Sequence, residues 1–338
     1  MHKLNLVSVD NKRRFNMKTS ISNTANSNAL VSGAQDLNAH TAKTDLVINF
    51  HMTESCNYRC SYCYATWDDL EAKNELHRLS GQVESLLQNL ADYFLQPNPL
   101  QAEMGYQNVR LNFAGGEPML LGQRFLDAVK FANQVGFRTS LITNGHYLTN
   151  DILDELAPSL DVLGISYDTA DHALAQGIGR VDRKKRWIAA EQLMQMCSRY
   201  RSLNPTGILK LNTVVNAVNC NDSLLDLMGE IKPNKWKLLR VLPVHDHQLT
   251  ITQAEYQGYV QRHSALSRII VEEDNEAMTH TYLMINPEGR FYQNSDAGSG
   301  YIVSDSILTS GVEQALSQVP FNVSGFKQRY QLIPSVTV

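Results

Sequence analysis

The chain has 338 residues, of which 43% are hydrophobic and 19% charged, and its formal net charge is −4. This composition predicts one large globular domain with a tail, and the charge argues against a nucleic-acid coat or a polybasic membrane anchor. No apolar run approaches the roughly 20 residues that cross a bilayer, and the N-terminus has no secretory signal. Five cysteines, three of them grouped, favour a reducing cytoplasm over a disulfide framework. We therefore expect a cytoplasmic protein without direct membrane or nucleic-acid contacts.

The first part of the chain, residues 1–44, is rich in Ser, Asn, Thr, Ala and Lys and has no sustained hydrophobic period. Such a segment cannot bury enough apolar surface to offset its ordering entropy, so we predict a flexible polar tail. Strands and helices alternate from residue 45 onwards. Apolar and β-branched runs predict six strands, at Leu46–Phe50, Val109–Phe113, Arg138–Thr143, Val162–Tyr167, Ile208–Val215 and Trp236–Val244.

Helical periods fill the gaps between these strands. The predicted helices lie at Val83–Phe94, Phe125–Val135, Ile152–Leu156, Trp187–Cys197 and Asp222–Gly229. A run of β-then-α units favours a parallel sheet with helices outside it. The predicted fold class is therefore α/β, a partial (β/α)6 barrel over residues 45–244.

Beyond residue 244 this alternation stops. The pattern there predicts a helix at Tyr256–Leu266, a hairpin of Tyr282–Ile285 with Arg290–Tyr292, and a last helix at Val312–Leu316. We interpret residues 245–338 as a C-terminal α+β extension that covers the barrel mouth.

The loop after the first strand carries three cysteines, Cys56, Cys60 and Cys63, at C-x3-C-x2-C spacing. Three thiolates can bind three irons of a [4Fe–4S] cube and leave the fourth iron open to a small molecule. A zinc loop is the alternative. Zinc prefers four ligands in paired sets, and the remaining cysteines, Cys197 and Cys220, are isolated and distant, so the spacing favours the iron–sulfur cluster.

Other candidate site residues follow strands two and four, and chemistry sits at such strand ends in α/β barrels. Gly115 and Gly116 would let the backbone approach a ligand closely, and Glu117 could bind an ammonium group. Ser166 and Arg180 could clamp a carboxylate, because a guanidinium and a hydroxyl both donate to it. The alternative for the glycine motif is a plain Gly-Pro turn without a ligand, and the alternative for Arg180 is a surface arginine.

Cations recur on one face of three strands. Lys210 alternates with Asn212 on strand five, Lys235 with Lys237 on strand six, and Arg110 with Asn112 on strand two. A buried cation needs an anionic partner, so a barrel interior with these residues could bind a triphosphate. The alternative is that they are strand-edge charges in solvent.

Together these motifs resemble the viperin family of the radical S-adenosylmethionine (SAM) superfamily. The amphipathic membrane helix of viperin is missing from the polar tail, and in this respect the chain is closer to the prokaryotic members of the family. The runs that carry the resemblance are Cys56–Tyr64, Leu111–Pro118, Asp161–Asp168, Leu209–Asn216, Lys235–Lys237 and Tyr282-Leu283.

The resemblance implies an enzyme that dehydrates a ribonucleoside triphosphate to its 3ʹ-deoxy-3ʹ,4ʹ-didehydro form, a chain terminator in antiviral defence. CTP is the expected substrate, with UTP and GTP as alternatives. The implied cofactors are a [4Fe–4S] cluster and SAM, the implied electron donor is a flavodoxin or ferredoxin, and we expect a monomer. There are two alternative functions. The chain could be another radical SAM enzyme, of cofactor or peptide modification, or it could be a non-catalytic metal-binding protein.

The resemblance also implies residue roles. Three residues would bind the cluster: Cys56, Cys60 and Cys63. Five would bind SAM: Gly115, Gly116, Glu117, Ser166 and Arg180. Seven would bind the substrate: Arg110, Lys210, Lys235 and Lys237 at the triphosphate, and Asn49, Asn212 and Tyr282 along the nucleotide. Tyr282 is also the candidate catalytic proton or electron relay. Arg110 stands where the family usually has lysine.

Overall fold

The computed structural model describes residues 45–64, 74–243, 247–295 and 300–331. The predicted polar tail and the predicted domain boundary near residue 244 lie outside these ranges. Within the described ranges, no helix has both the length and the apolar character that crossing a bilayer requires.

One sheet of ten strands runs through the described part of the chain. Its order is β10-β9-β8-β1-β2-β3-β4-β5-β6-β7; neighbours from β8 to β7 pair in parallel, whereas β9 and β10 pair antiparallel. The strands are β1 (Asp45–His51), β2 (Asn108–Ala114), β3 (Arg138–Thr143), β4 (Val162–Ser166), β5 (Ile208–Val215), β6 (Lys235–Arg240), β7 (Ile270–Glu273), β8 (Leu283–Ile285), β9 (Arg290–Asn294) and β10 (Tyr301–Ser306).

Helices occupy most of the connections. They are α1 (Gln82–Phe94), α2 (Pro99–Met104), α3 (Gln123–Gln134), α4 (Asn150–Leu156), α5 (His172–Ile178), α6 (Ala190–Leu203), α7 (Leu225–Ile231), α8 (Gln253–Arg262), α9 (Asn275–Met278), α10 (Ile307–Ser310), α11 (Val312–Leu316) and α12 (Val323–Gln331).

The predicted (β/α)6 unit is confirmed, because β1 to β6 lie side by side in chain order and pair in parallel. Its core forms between the sheet and the apolar faces of the helices. Phe50 on β1 contacts Phe113 on β2 with ring centroids 6.5 Å apart, and Phe113 contacts Phe125 on α3 at 5.7 Å. All three rings are fully buried, so helix and sheet share one core.

The C-terminal segment extends this sheet at both of its edges. β7 pairs with β6 at one edge and β8 pairs with β1 at the other, while the β8–β9 hairpin forms as predicted. The chain between Glu273 and Leu283 therefore passes from one edge of the partial barrel to the other. Strands β7 and β10 and helices α2, α5, α9, α10 and α12 were not predicted from the sequence, and the helix now seen as α8 was predicted to start three residues late. A capping box of Thr252 with Glu255 marks the true start of α8.

Candidate active site

The cysteine loop leaves the C-terminal end of β1 and is fixed on one side by the turn after β2. The backbone oxygens of Thr53 and Ser55 accept hydrogen bonds from Gly116 N at 2.7 Å and Glu117 N at 2.8 Å. A Cβ on Gly116 would lie 2.3 Å from Ser55 O, and one on Gly115 would lie 2.6 Å from Thr53 O. The two glycines are thus required by the close approach of the loop backbone itself.

The other side of the loop is held by the end of α5. Arg59 N donates to Gly179 O, and Ser61 N donates to Ile178 O, both at 3.0 Å. Gly179 has a φ of +88°, and a Cβ on it would lie 2.0 Å from Arg59 O. This contact between distant segments was not predicted from the sequence.

The three cysteines of the loop are partly exposed, and all five cysteines, each within the described ranges, carry free thiols. Burial raises the pKa of Cys60 to about 12, and burial also raises that of Cys56, while the positive charge of Arg180 opposes both shifts. Iron ligation must therefore displace the thiol protons, and Arg180 favours the thiolates.

These thiols suit a cluster better than a single ion. Across the described residues, no three His, Cys, Asp or Glu side chains form a group that could hold one metal ion. In a cubane each thiolate binds its own iron, so three separate sulfurs on one loop fit that group. Here Cys56, Cys60 and Cys63 would be the ligands.

Glu117 is fully buried and ties the turn after β2 to the end of β3. Its carboxylate accepts hydrogen bonds from the Thr143 hydroxyl and Asn144 N, each at 2.7 Å, and from Met119 N at 3.1 Å. Burial raises its pKa to about 6, although the three donors favour the charged form. Since protein donors already engage this carboxylate, an ammonium group that binds Glu117 would have to share it with them.

Arg180 lies between the cysteine loop and the end of β4. Its Nη1 donates to the Tyr62 hydroxyl at 3.0 Å, its Nη2 donates to the Ser166 carbonyl oxygen at 2.5 Å, and Asp168 Oδ2 is 3.5 Å away. The Tyr62 hydroxyl also donates to Asp168. The predicted pair of Ser166 and Arg180 is brought together, but through the backbone of Ser166. No role for Asp168 was predicted from the sequence.

A small cavity opens beside this arginine. Tyr58, Asn144, Ser166 and Arg180 are among its lining residues, and so is Tyr167. The Tyr167 hydroxyl is buried and finds no hydrogen-bond partner among the described residues. A buried donor of this kind is normally satisfied by a bound molecule or water.

A chain of hydrogen bonds crosses the first three strands on their inner face. Asn112 Nδ2 donates to Asn49 Oδ1 at 2.8 Å, Ser140 Oγ donates to Asn112 Oδ1 at 2.7 Å, and Arg110 Nη1 donates to Ser140 Oγ at 2.9 Å. Asp45 lies 3.7 Å from Arg110. Arg110 and Asn112 therefore share one face of β2, as predicted, and Asn49 of β1 lies on the same face of the sheet.

Lys235, at the start of β6, faces the same interior. Burial lowers its pKa, and the positive charge of Arg110 adds to this effect, whereas Asp45 opposes it. Lys210 on β5 is paired with Lys235 in register, and Asn212 is paired with Lys237. The side-chain oxygen of Asn212 is buried without a partner in the described part of the chain.

The third cation of β5 and β6, Lys237, has a carboxylate partner that the sequence analysis missed. Its Nζ lies 2.5 Å from Glu273 Oε1 and donates to the Tyr282 hydroxyl at 2.7 Å. The Tyr282 hydroxyl donates to Glu273 Oε2. Glu273 ends β7, the short strand that the hydrophobic pattern did not reveal.

Comparison with known proteins identifies the family of this site. The Radical SAM superfamily model matches residues 50–215. An S-adenosylmethionine-dependent nucleotide dehydratase of Pseudoalteromonas ulvae is 53% identical over 293 residues, which cover 87% of this chain and 95% of that protein. The enzyme of the same name from Psychrobacter lutiphocae is 37% identical, with 86% and 96% covered. This chain belongs to the viperin-like, SAM-dependent nucleotide dehydratase family.

Solved structures agree on the fold of this dehydratase. The AdoMet-bound enzyme anSMEcpe superposes with a TM-score of 0.58 at 12% identity, covering 86% of this chain and 84% of its own. Streptococcus suis SuiB bound to S-adenosylmethionine gives 0.51 at 14% identity, covering 75% and 61%. At these identities the likeness concerns the radical SAM fold alone.

Family membership confirms the predicted cofactors, a [4Fe–4S] cluster and SAM, and the predicted radical SAM dehydratase type of enzyme. The structure brings the predicted SAM residues of this dehydratase around the cysteine loop and gathers predicted substrate residues on the inner face of the sheet. The role of each individual residue stays a prediction.

Proposed function

We propose that this dehydratase converts a ribonucleoside triphosphate to its 3ʹ-deoxy-3ʹ,4ʹ-didehydro analogue. The observation that carries the proposal is the cationic inner face of the sheet, where Arg110 of β2 donates to Ser140 Oγ and Lys235 of β6 lies close enough for the charge of Arg110 to lower its pKa further than burial alone does. Lys210 shares the register of Lys235, so three cations converge on one interior. Such a concentration of charge favours a polyanion, and a triphosphate matches it.

The nucleoside part of the substrate would lie along the neutral polar side chains of the same face. Asn49 and Asn112 are already joined by a hydrogen bond, whereas the Asn212 oxygen is buried with no partner among the described residues. We assign Asn212 to a ribose hydroxyl, because that oxygen needs a donor and a hydroxyl supplies one.

When bound, the cluster and SAM supply a carbon-centred radical that removes a hydrogen atom from the substrate. The contribution of Arg110, Lys210 and Lys235 would be orientation, because a fixed triphosphate brings one ribose position, C4ʹ, within reach of the radical. Loss of the 3ʹ-hydroxyl as water then consumes one proton and one electron. The Tyr282 hydroxyl, bonded to both Lys237 and Glu273, is our candidate for the proton donor.

The wider assignments rest on the family resemblance. CTP is the first substrate to test, followed by UTP and GTP, and the product would terminate viral RNA chains in antiviral defence. An electron donor of the flavodoxin or ferredoxin type would reduce the cluster. A cytoplasmic location agrees with the five free thiols. Action as a monomer stays a prediction.

The test is an anaerobic assay of the cluster-loaded protein with SAM, a reductant and each ribonucleoside triphosphate in turn. We expect one nucleotide to raise 5ʹ-deoxyadenosine formation and to yield a product lighter than the substrate by one water. A panel in which no nucleotide raises 5ʹ-deoxyadenosine above its level without nucleotide would refute the substrate class.

A further inference from the structure

Lys237, Glu273 and Tyr282 form a network in which each member contacts the other two. The Lys237 ammonium and the Tyr282 hydroxyl bind separate oxygens of the Glu273 carboxylate, and they also bind each other. The Glu273 side chain is 3% exposed and that of Lys237 is 11% exposed. A buried ion pair with this geometry is strong as long as both charges remain.

This network joins the two edges of the partial barrel. Glu273 ends β7, which pairs with β6 at one edge, while Tyr282 directly precedes β8, which pairs with β1 at the other. Two of the three members are predicted substrate residues. The Glu273 carboxylate, an anion bound to a lysine and a phenol, therefore occupies a place suited to a phosphate oxygen.

We propose that Glu273 is an internal counter-anion that a substrate phosphate displaces from Lys237, and that Glu273 takes up a proton as this happens. The inference rests on the proposed function, since the displacing anion is the triphosphate of the substrate. A buried carboxylate that has lost its cation and gained a polyanionic neighbour is costly in its charged form, so it binds a proton from solvent.

The charged and titratable groups near Glu273 are consistent with proton uptake by its carboxylate. Lys237 on β6 is its cation and Tyr282 is its second donor. Glu272 precedes it and Asp274 follows it in the chain, and burial together with the charges of all three carboxylates raises the pKa of Tyr256 on α8. Lys235 is a competing source of proton uptake, because burial and Arg110 lower its pKa and a bound phosphate would reverse that.

Isothermal titration of the cluster-loaded protein tests the proposal, with SAM present and no reductant, so that no turnover occurs. CTP and inorganic tripolyphosphate are titrated at pH 7 to 8 in buffers of different ionisation enthalpy. We expect the wild type to take up about one proton more than Glu273→Gln, and its Kd for CTP to rise by up to about tenfold per pH unit. At pH 8 Glu273→Gln should bind CTP more tightly than the wild type, which structural damage would not cause.

Glu272→Gln is the matched control, because Glu272 precedes Glu273 on the same strand but is exposed; it should behave as the wild type. If Glu273→Gln does not fold, the double variant Lys237→Gln with Glu273→Gln removes both buried charges and should show no excess proton uptake. Equal proton uptake in the wild type and the Glu273 variants would overturn the inference and leave the proposed function standing. Failure of every nucleotide and of tripolyphosphate to bind the wild type would instead overturn the proposed function, and this inference with it.

Discussion

Gly179→Ala should detach the cysteine loop from the end of α5. The added Cβ would lie 2.0 Å from Arg59 O, so the loop must withdraw by roughly 1 Å or more to reach an ordinary contact. That movement breaks two backbone hydrogen bonds, Arg59 N to Gly179 O and Ser61 N to Ile178 O. Each contributes about 1 kcal/mol, and a left-handed alanine costs about 1 kcal/mol more. We expect a loss of about 3 kcal/mol in the free energy of unfolding.

Gly105→Ala is the control that separates the cost of a left-handed alanine from the cost of the steric clash with Arg59. Gly105 caps α2 in the same left-handed conformation, with φ +71°, but a Cβ there meets nothing within 4 Å. The control should lose only about 1 kcal/mol and retain its cluster. The assays are chemical denaturation and iron per chain after anaerobic reconstitution. If Gly179→Ala matched Gly105→Ala in both stability and iron content, the contact with α5 would not position the cysteine loop.

Three further predictions concern buried charges. Lys235→Gln should raise the KM for the nucleotide about tenfold with a smaller change in kcat, whereas exposed Lys232→Gln should leave both unchanged in steady-state assays. Asp168→Asn should cost about 3 kcal/mol by denaturation, because it leaves Arg180 buried beside a neutral group. The folded-state pKa of Glu117, about 6, lies above its ordinary 4.5, so its contribution is full below pH 4.5 and lost as pH rises through 6. The wild type should therefore lose about 2 kcal/mol relative to Glu117→Gln between pH 4.5 and 7 in denaturation curves.

Local patterns in the sequence were sufficient to predict the six βα units and the shared face of Arg110 and Asn112. Strand alternation has a period of two, so the spacing of Arg110 and Asn112 already placed both on one face. The cysteine spacing likewise lies within one loop, and its position after β1 follows from the preceding apolar run. Such inferences need no knowledge of which segments meet in space.

Contacts between distant segments could not be predicted in the same way. β7 reads Ile-Val-Glu-Glu, too short and too acidic for a strand signal, and it is defined only by pairing with β6. Because β7 was not predicted, the proximity of Glu273 to Lys237 could not be predicted either. The need for glycine at position 179 also comes from another segment, the backbone of Arg59.

Arg180 connects the cysteine loop with the end of β4, where it is predicted to bind SAM. It donates to Tyr62 within the loop and to the Ser166 carbonyl at the end of β4, and its charge favours the thiolate of Cys60. A guanidinium has five N–H donors, so these contacts leave others for a carboxylate, and the carboxylate of SAM is the ligand predicted for Arg180. Because Asp168 lies 3.5 Å from the same guanidinium, an arriving carboxylate must share the cation rather than find it unpaired. If Arg180 binds SAM as predicted, the affinity should therefore depend on the geometry of that sharing more than on net charge.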